Sequence, residues 1–364
     1  MSDPRLDPAA GFWARSLARI ATALLPLPAG VPHAPLRILV VRTDDRVGNA
    51  LLTIPLVRAL QKALPKTKVD LLLAARRAQV AEGLPGLTVV RFDKRDFFAH
   101  PLRFLRFLCG LRAGYEVVID AAHWHAFSLT SALLSRWAAR RAVVGHSRGG
   151  CDFIYQAAVP PPAEGVRELE SKLQLGRALG LTLQASPEET ALGRGPSVVQ
   201  GRYAAINPGA RKADHRWPPE RFAALARNLH CRYGLRPVIF WGPGEEELAR
   251  EVAQKASVEL APATDLEQLA AAFRNAALVV ANDTGPMHLA AACGAPVLAL
   301  FLDQAGLRWA HEGPRFAALV APDDAQAFAG AARLLDSFAP AAQPARSLEE
   351  PLDSLDDRLR RRPR

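Results

Sequence analysis

The chain has 364 residues, 49% of them apolar and 23% charged, which excludes wholesale disorder and a fibrous fold. No uninterrupted apolar run approaches the ~20 residues a bilayer-spanning helix requires, and two domains are expected at roughly 150 residues each. The formal charge is +10, and only seven of the 46 basic residues are lysine. Arginine's planar fork suits phosphate and carboxylate, so this excess predicts an anionic partner or, equally, a solvated basic surface. Cys109, Cys151, Cys231 and Cys293 lie far apart with no C-x-x-C pair. They read as reduced thiols of a cytoplasmic protein, neither a disulfide framework nor a zinc site.

Residues 1–34 form an N-terminal extension. As a helix, residues 11–25 would gather Phe12, Trp13, Leu17, Ile20 and Leu24 towards one side, with Arg15 and Arg19 near the other. A basic amphipathic helix of this kind can lie on an anionic membrane, peripherally on the inner face, or pack on the protein body. Both readings stand at this point. From residue 35 strands and helices alternate. Strands are expected at residues 36–41, 69–73, 88–92, 115–120 and 142–144, and a helix over 48–64 is stopped by Pro65. Short branched apolar runs separated by helix-compatible segments predict a doubly wound parallel sheet.

Pro187, Gly193, Gly195 and Pro196 interrupt this rhythm, which sets the first domain at 35–190 and a second at 200–335. In the second, strands are expected at 203–206, 237–241, 277–280 and 297–301, with helices over 219–231, 245–255, 286–293 and 324–335. Residues 336–364 form a Pro-, Ala- and Arg-rich tail. The predicted class is therefore α/β, two Rossmann-like doubly wound domains facing a cleft, where ligands of such folds bind.

The strongest local signal is Asn282-Asp283-Thr284-Gly285-Pro286-Met287-His288-Leu289, following the strand that ends near Ala281. Proline is favoured in the first helical turn. Free amides there, with the positive end of the helix dipole, form an anion site. Gly285 lets a phosphate approach the backbone; the plainer alternative is that Asp283 or Thr284 only caps the helix. No G-x-G-x-x-G follows the first strand and no G-x-x-x-x-G-K-[ST] occurs anywhere, which argues against a nicotinamide dehydrogenase and a P-loop NTPase. A nucleic-acid-binding protein would account for the charge but for none of the ordered motifs, so no nucleic-acid partner is expected.

Five blocks in order resemble the glycosyltransferase family of the ADP-heptose:lipopolysaccharide heptosyltransferases: residues 42–55 (RTDDRVGNALLTIP), 115–120, 206–218 (Ile206-Asn207-Pro208-Gly209-Ala210 through Arg216-Trp217-Pro218), 241–245 and 282–292. The resemblance covers residues 36–335. It implies the GT-B architecture and an inverting, metal-independent glycosyltransferase without a cofactor. The implied donor is a nucleoside diphosphate sugar, ADP-heptose or a related compound, and the implied acceptor a cell-envelope saccharide such as lipopolysaccharide core. Without a metal, the leaving diphosphate must be stabilised by a helix N-terminus and cations. Asp283, Thr284, Gly285, His288, Lys212, His215, Arg216 and Glu245 are the corresponding donor-binding candidates, with Glu245 at the ribose. His123 and His125 are acceptor-side candidates, and no metal ligands are expected.

Two departures stand out. Where the family has Gly-Asp, with the Asp as general base, this chain has Gly48-Asn49, and an amide cannot take a proton. Asp44 and Asp45 share the loop and are candidate substitutes, with Asp45 slightly favoured because it lies nearer the helix start. A non-catalytic relative that binds nucleotide sugar or glycan is the alternative. The second departure is His215, where the family often has Lys, with Lys212 three residues earlier as its replacement.

Overall fold

The computed structural model describes residues 8–338, apart from 33, 113, 149 and 186–188. Six strands form the first sheet: β1 (Arg37–Arg42), β2 (Lys68–Ala74), β3 (Thr88–Phe92), β4 (Tyr115–Asp120), β5 (Ala139–His146) and β6 (Ala157–Val159). Six more form the second: β7 (Tyr203–Asn207), β8 (Arg236–Ile239), β9 (Glu259–Leu260), β10 (Leu278–Asn282), β11 (Val297–Phe301) and β12 (Phe316–Val320). All pairs are parallel, and the first sheet has the order β3-β2-β1-β4-β5-β6. The second, β12-β11-β10-β7-β8-β9, repeats this doubly wound order. The expected two-sheet α/β architecture is what the chain adopts.

Covered on both faces, the central strands have no solvated side, so they are continuously apolar rather than alternating. Ile38, Leu39, Val40 and Val41 are fully buried, each burial stabilising by about 1.5–3 kcal/mol. One apolar core runs unbroken from the first sheet to the second, through Ile54 and Leu60 to Met287 and Val297. The connecting segment is tied to both halves. Ala191 N–H donates to Val80 O at 2.9 Å, while the amides of Gly193 and Arg194 donate to the Glu267 carboxylate at 3.0 Å each. Gly193 has φ +78°, and a Cβ there would lie 2.7 Å from the Ala270 carbonyl carbon, so only glycine fits.

The structure departs from the sequence reading in several places. The helix expected over 48–64 is two, Val47–Leu51 and Ile54–Ala63. The break coincides with Thr53, whose hydroxyl donates to Asn49 O at 2.7 Å. The short strands β6 and β9, and β12, were not anticipated. The last helix reaches Phe338, so the tail begins later than residue 336 and its remainder lies outside the described residues.

The N-terminal helix, Pro8–Leu24, packs on helix Leu129–Ala138 through buried Ala18, and Arg136 donates to the Leu25 carbonyl at 2.5 Å. Its outer side keeps Phe12, Trp13, Leu17, Ile20 and Leu24 exposed. Packing and an apolar outer stripe thus coexist. Among the described residues no helix is long and apolar enough to cross a membrane.

Candidate active site

In a doubly wound sheet the ligand crevice opens at the carboxyl ends of the strands, where the order reverses. Here that is between β1 and β4 in one sheet and between β7 and β10 in the other. The two crevices face each other. Helix Val47–Leu51, which follows β1, packs against helix Gly285–Ala292, which follows β10. Contact is so close that a Cβ on Gly48 would lie 2.4 Å from His288 Cδ2.

The first crevice holds a buried polar network. Arg42, fully buried at the end of β1, donates to Ala121 O at 2.6 Å and pairs with the Asp44 carboxylate. The Asn49 amide nitrogen lies 2.7 Å from Asp44 Oδ1 and 3.1 Å from His123 Nε2. His123 Nδ1 meets Glu168 Oε1 at 2.7 Å, and Lys172 Nζ donates to the same oxygen at 3.0 Å. Burial, with the charges of Arg42 and Lys172, pushes the His123 pKa down to about 3 despite Glu168, so its ring is neutral. Burial alone would raise the Glu168 carboxyl, but Lys172, His123 and Arg308 together hold it well below the usual range. For Asp44 burial also works upward, and Arg42 with Asn49 outweighs it, keeping the group ionised. Burial lowers Lys172 to about 8.

Behind this network lies a second buried pair. Arg148 donates to Asp120 Oδ2 at 2.6 Å, Ser131 donates to Oδ1 at 2.6 Å, and Arg148 also holds the Ala122 and His123 carbonyls at 2.8 and 2.9 Å. Removing one partner of such a pair costs about 3–5 kcal/mol. It fixes the loop that carries His123.

The second crevice is barer. Asn282 is buried at the end of β10, where its amide donates to Pro208 O at 2.8 Å and its carbonyl accepts from Trp217 N–H at 3.0 Å. This joins the two loops that flank the turn. Thr284 occupies the N-cap without a side-chain cap bond; Pro286 has no N–H and Met287 N–H donates to Thr284 O at 3.1 Å, so in the first turn of helix Gly285–Ala292 the Gly285 amide is the one left without a partner among the described residues. Asp283 makes no hydrogen bond or ion pair among the described residues; burial, with Asp303 nearby, raises its pKa to about 7. Lys212 and His215 are exposed on the turn after β7, and Arg216 donates to Ala210 O at 2.8 Å. Glu245 lies across Gly209, where a Cβ would be 2.0 Å from its carboxylate oxygen, and accepts from the Gly242 amide at 3.2 Å.

Arg308 bridges the halves. It pairs with Glu168 Oε2, sits 2.8 Å from His125 Nδ1, and lies over the rings of Trp124 and Trp309 at 4.8 and 5.0 Å.

The sequence-predicted residues divide accordingly. Asp44, Asn49, His123 and His125 come together at the first crevice; Asp283, Thr284, Gly285, Lys212, His215, Arg216 and Glu245 belong to the loops and turns around the second. Two expectations need correction. Asp45 turns away to Arg77, at 2.8 Å, and Arg76, at 3.6 Å, while the Arg42 guanidinium pairs with Asp44. His288 is not on the open turn: its ring is buried between Gly48 and His311, with Nδ1 2.7 Å from His311 Nε2. Glu168, Lys172 and Arg308 were missed. The only available signal was the i,i+4 spacing of Glu168 and Lys172, which more often marks a solvated helix face. Among the described residues no group of three or more His, Cys, Asp or Glu side chains is arranged to hold a metal ion.

Comparison with known proteins bears on this geometry. The family profile described as Glycosyltransferase family 9 (heptosyltransferase) matches residues 104–327. Lipopolysaccharide heptosyltransferase 3 of Escherichia coli (strain K12) is 27% identical over 288 residues, 70% of this chain and 79% of that protein. Lipopolysaccharide heptosyltransferase 1 of Pseudomonas aeruginosa is 27% identical over 286 residues, 73% of this chain and 78% of the relative. Among solved structures, E. coli heptosyltransferase WaaC with ADP superposes with a TM-score of 0.66 at 26% identity, covering 83% of this chain and 99% of that one. The same enzyme with ADP-2-deoxy-2-fluoro heptose gives 0.62 at 25% identity, with coverage of 83% and 99%.

Proposed function

The chain belongs to glycosyltransferase family 9, the heptosyltransferases, and we propose that it moves heptose from ADP-heptose to a lipopolysaccharide-core saccharide, with inversion and without a metal or other cofactor. The donor reading is supported by the relatives solved with ADP and with a fluorinated ADP-heptose, and the acceptor reading by relatives named lipopolysaccharide heptosyltransferases. In the reaction the acceptor hydroxyl loses its proton to Asp44 while its oxygen attacks the anomeric carbon from the face opposite the diphosphate. The bond from that carbon to the diphosphate oxygen breaks, and ADP leaves. Charge developing on the diphosphate is met by the amides of Thr284 and Gly285 and by Lys212 and His215. Glu245 takes the ribose, and His123 and His125 line the acceptor side.

One observation carries the choice of base: Asn49 donates to Asp44 Oδ1 at 2.7 Å, leaving that carboxylate one-third exposed at the crevice. The amide that replaces the expected acid does not take the proton; it aims an acid five residues earlier. Transfer of heptose from ADP-heptose, assayed with Asp44→Asn, tests this. Turnover is expected to fall by ~10²–10⁴ with ADP binding intact, and full activity would remove Asp44 as base. A wild-type protein that binds ADP-heptose but transfers nothing to any core saccharide would instead favour the non-catalytic relative.

The domain limits 35–190 and 200–335 are part of the same proposal, as is a cytoplasmic enzyme held peripherally at the inner membrane face. The exposed stripe of helix Pro8–Leu24, with Trp13 69% exposed, supports that contact. So does a second apolar patch, Phe97, Phe98, Leu102 and Leu105, on helices Asp96–Ala99 and Pro101–Leu111, with Phe98 86% exposed. Wild type is expected to co-sediment with phosphatidylglycerol-containing vesicles and Trp13→Ser/Phe98→Ser to do so less. Wild type staying in the supernatant at low salt would remove the membrane from the proposal.

A further inference from the structure

We propose that Glu168 is a positioning residue for the transfer step, acting on Asp44 through His123 and Asn49. This rests on the reading of Asp44 as base, and goes beyond it by naming what aims the base and by linking it to the other half of the molecule.

Glu168 is 1% exposed, and three groups converge on it: His123 Nδ1 at 2.7 Å and Lys172 Nζ at 3.0 Å on Oε1, and Arg308 on Oε2. An ionised carboxylate only accepts, so Nδ1 of His123 must carry the hydrogen. The ring is neutral, and Nε2 is therefore left with a lone pair. That lone pair faces two donors, the Arg42 guanidinium at 2.5 Å and the Asn49 amide nitrogen at 3.1 Å. The second hydrogen of the same amide goes to Asp44 Oδ1 at 2.7 Å. Reversing any member breaks the chain. A hydrogen on Nε2 would oppose two N–H groups, and an Asn49 turned end for end would set its carbonyl against the Asp44 carboxylate. One assignment satisfies every member, and it begins at Glu168. Partners that orient a functional side chain in this way set its tautomer. Arg308 comes from the 3-10 segment Gln304–Trp309 of the second half, so docking of the halves is registered at the same carboxylate.

The first measurement is the side-chain ¹⁵N spectrum of the histidine-labelled wild-type protein at pH 7, with His123 identified by its loss in His123→Gln. A neutral Nδ1–H ring is expected; an Nε2–H ring or an imidazolium would overturn the proposal without any Glu168 variant. The second replaces Glu168→Leu together with Lys172→Met, so that neither charge of the buried pair is stranded. The tautomers of His123 should then mix, and kcat should fall by about 10- to 100-fold with KM for ADP-heptose unchanged. In a His123→Gln background, where the chain is already cut, the Glu168/Lys172 replacement should cost no further kcat. An unchanged tautomer, an unchanged kcat, or kcat losses that multiply would each overturn the role of Glu168. Failure of the base itself reads differently: transfer that survives Asp44→Asn removes the reading beneath the proposal, while the tautomer measurement still reports on Glu168 alone.

Discussion

The two sheets repeat one strand order, yet their crevices are furnished in opposite ways. At the first, the charges of the polar network are paired: Arg42 with Asp44, Lys172 and Arg308 with Glu168, Arg148 with Asp120. At the second, the Gly285 amide and Asp283 make no hydrogen bond or ion pair among the described residues, and Lys212 and His215 are exposed. A paired network holds side chains in one geometry, as proton transfer requires. A bare turn leaves donors for an incoming anion, as binding requires. In the proposed reaction the same fold thus supplies a rigid half for chemistry and an open half for the leaving group.

If that division holds, substitutions in the two halves should separate in kinetics. Asp44→Asn should lower kcat by ~10²–10⁴ and leave KM for the donor unchanged. Lys212→Ala should raise that KM and, because Lys212 also meets the charge developing on the leaving diphosphate, lower kcat as well. Steady-state kinetics of both variants against one donor and acceptor measure the contrast, and a KM effect from Asp44→Asn would dissolve it.

The meeting point of the halves can be tested next. Gly48→Ala would put a methyl 2.4 Å from the His288 ring, which is itself fixed against His311. Such overpacking costs about 1–3 kcal/mol. Thermal unfolding should show that loss in the variant, and His288→Ala should recover part of it by making room. No loss in Gly48→Ala would mean that the two helices separate freely.

Much of this was legible in the sequence, for identifiable reasons. Pro286 after a polar turn, preceded by the buried run Leu278–Asn282, marks strand, turn and helix by local chemistry alone, and the described helix begins at Gly285. The loop expected from Arg42 to Gly48 lies in the right place but is shorter, because β1 runs to Arg42 and a helix begins at Val47. What escaped depends on contacts between distant residues. Glu168 and Arg308 are 140 positions apart, and neither sits in a local pattern that distinguishes it from a surface charge. The preference for Asp45 over Asp44 rested on nearness to the helix, whereas the pairing of Arg42 with Asp44 depends on a side-chain direction that a linear reading does not show. Strands β6 and β9 were lost because three and two residues are too few for a periodic signal.

The smallest expected effect sharpens the open half. Burial and Asp303 raise Asp283 to about 7, so near neutral pH this carboxyl is part protonated beside the turn proposed to receive the diphosphate. Protonated, it can donate a hydrogen bond to phosphate; ionised, it repels it. ADP should therefore bind with a nearly constant Kd below pH 7 and weaken above it, by no more than tenfold per pH unit, the limit for one proton. Asp283→Asn cannot ionise and should remove the part of the slope that belongs to this group. The same shift has a signature in stability. A carboxyl whose folded pKa lies above its unfolded value favours the folded state fully only below the unfolded pKa, and that contribution is lost as pH rises towards 7. Asp283→Asn should then gain on wild type in thermal unfolding between pH 4 and pH 7, with a constant difference above. Calorimetric titration of ADP from pH 6 to 9, with both proteins, decides whether Asp283 tunes this turn for an anion. Parallel slopes in the two proteins would place the titrating group elsewhere.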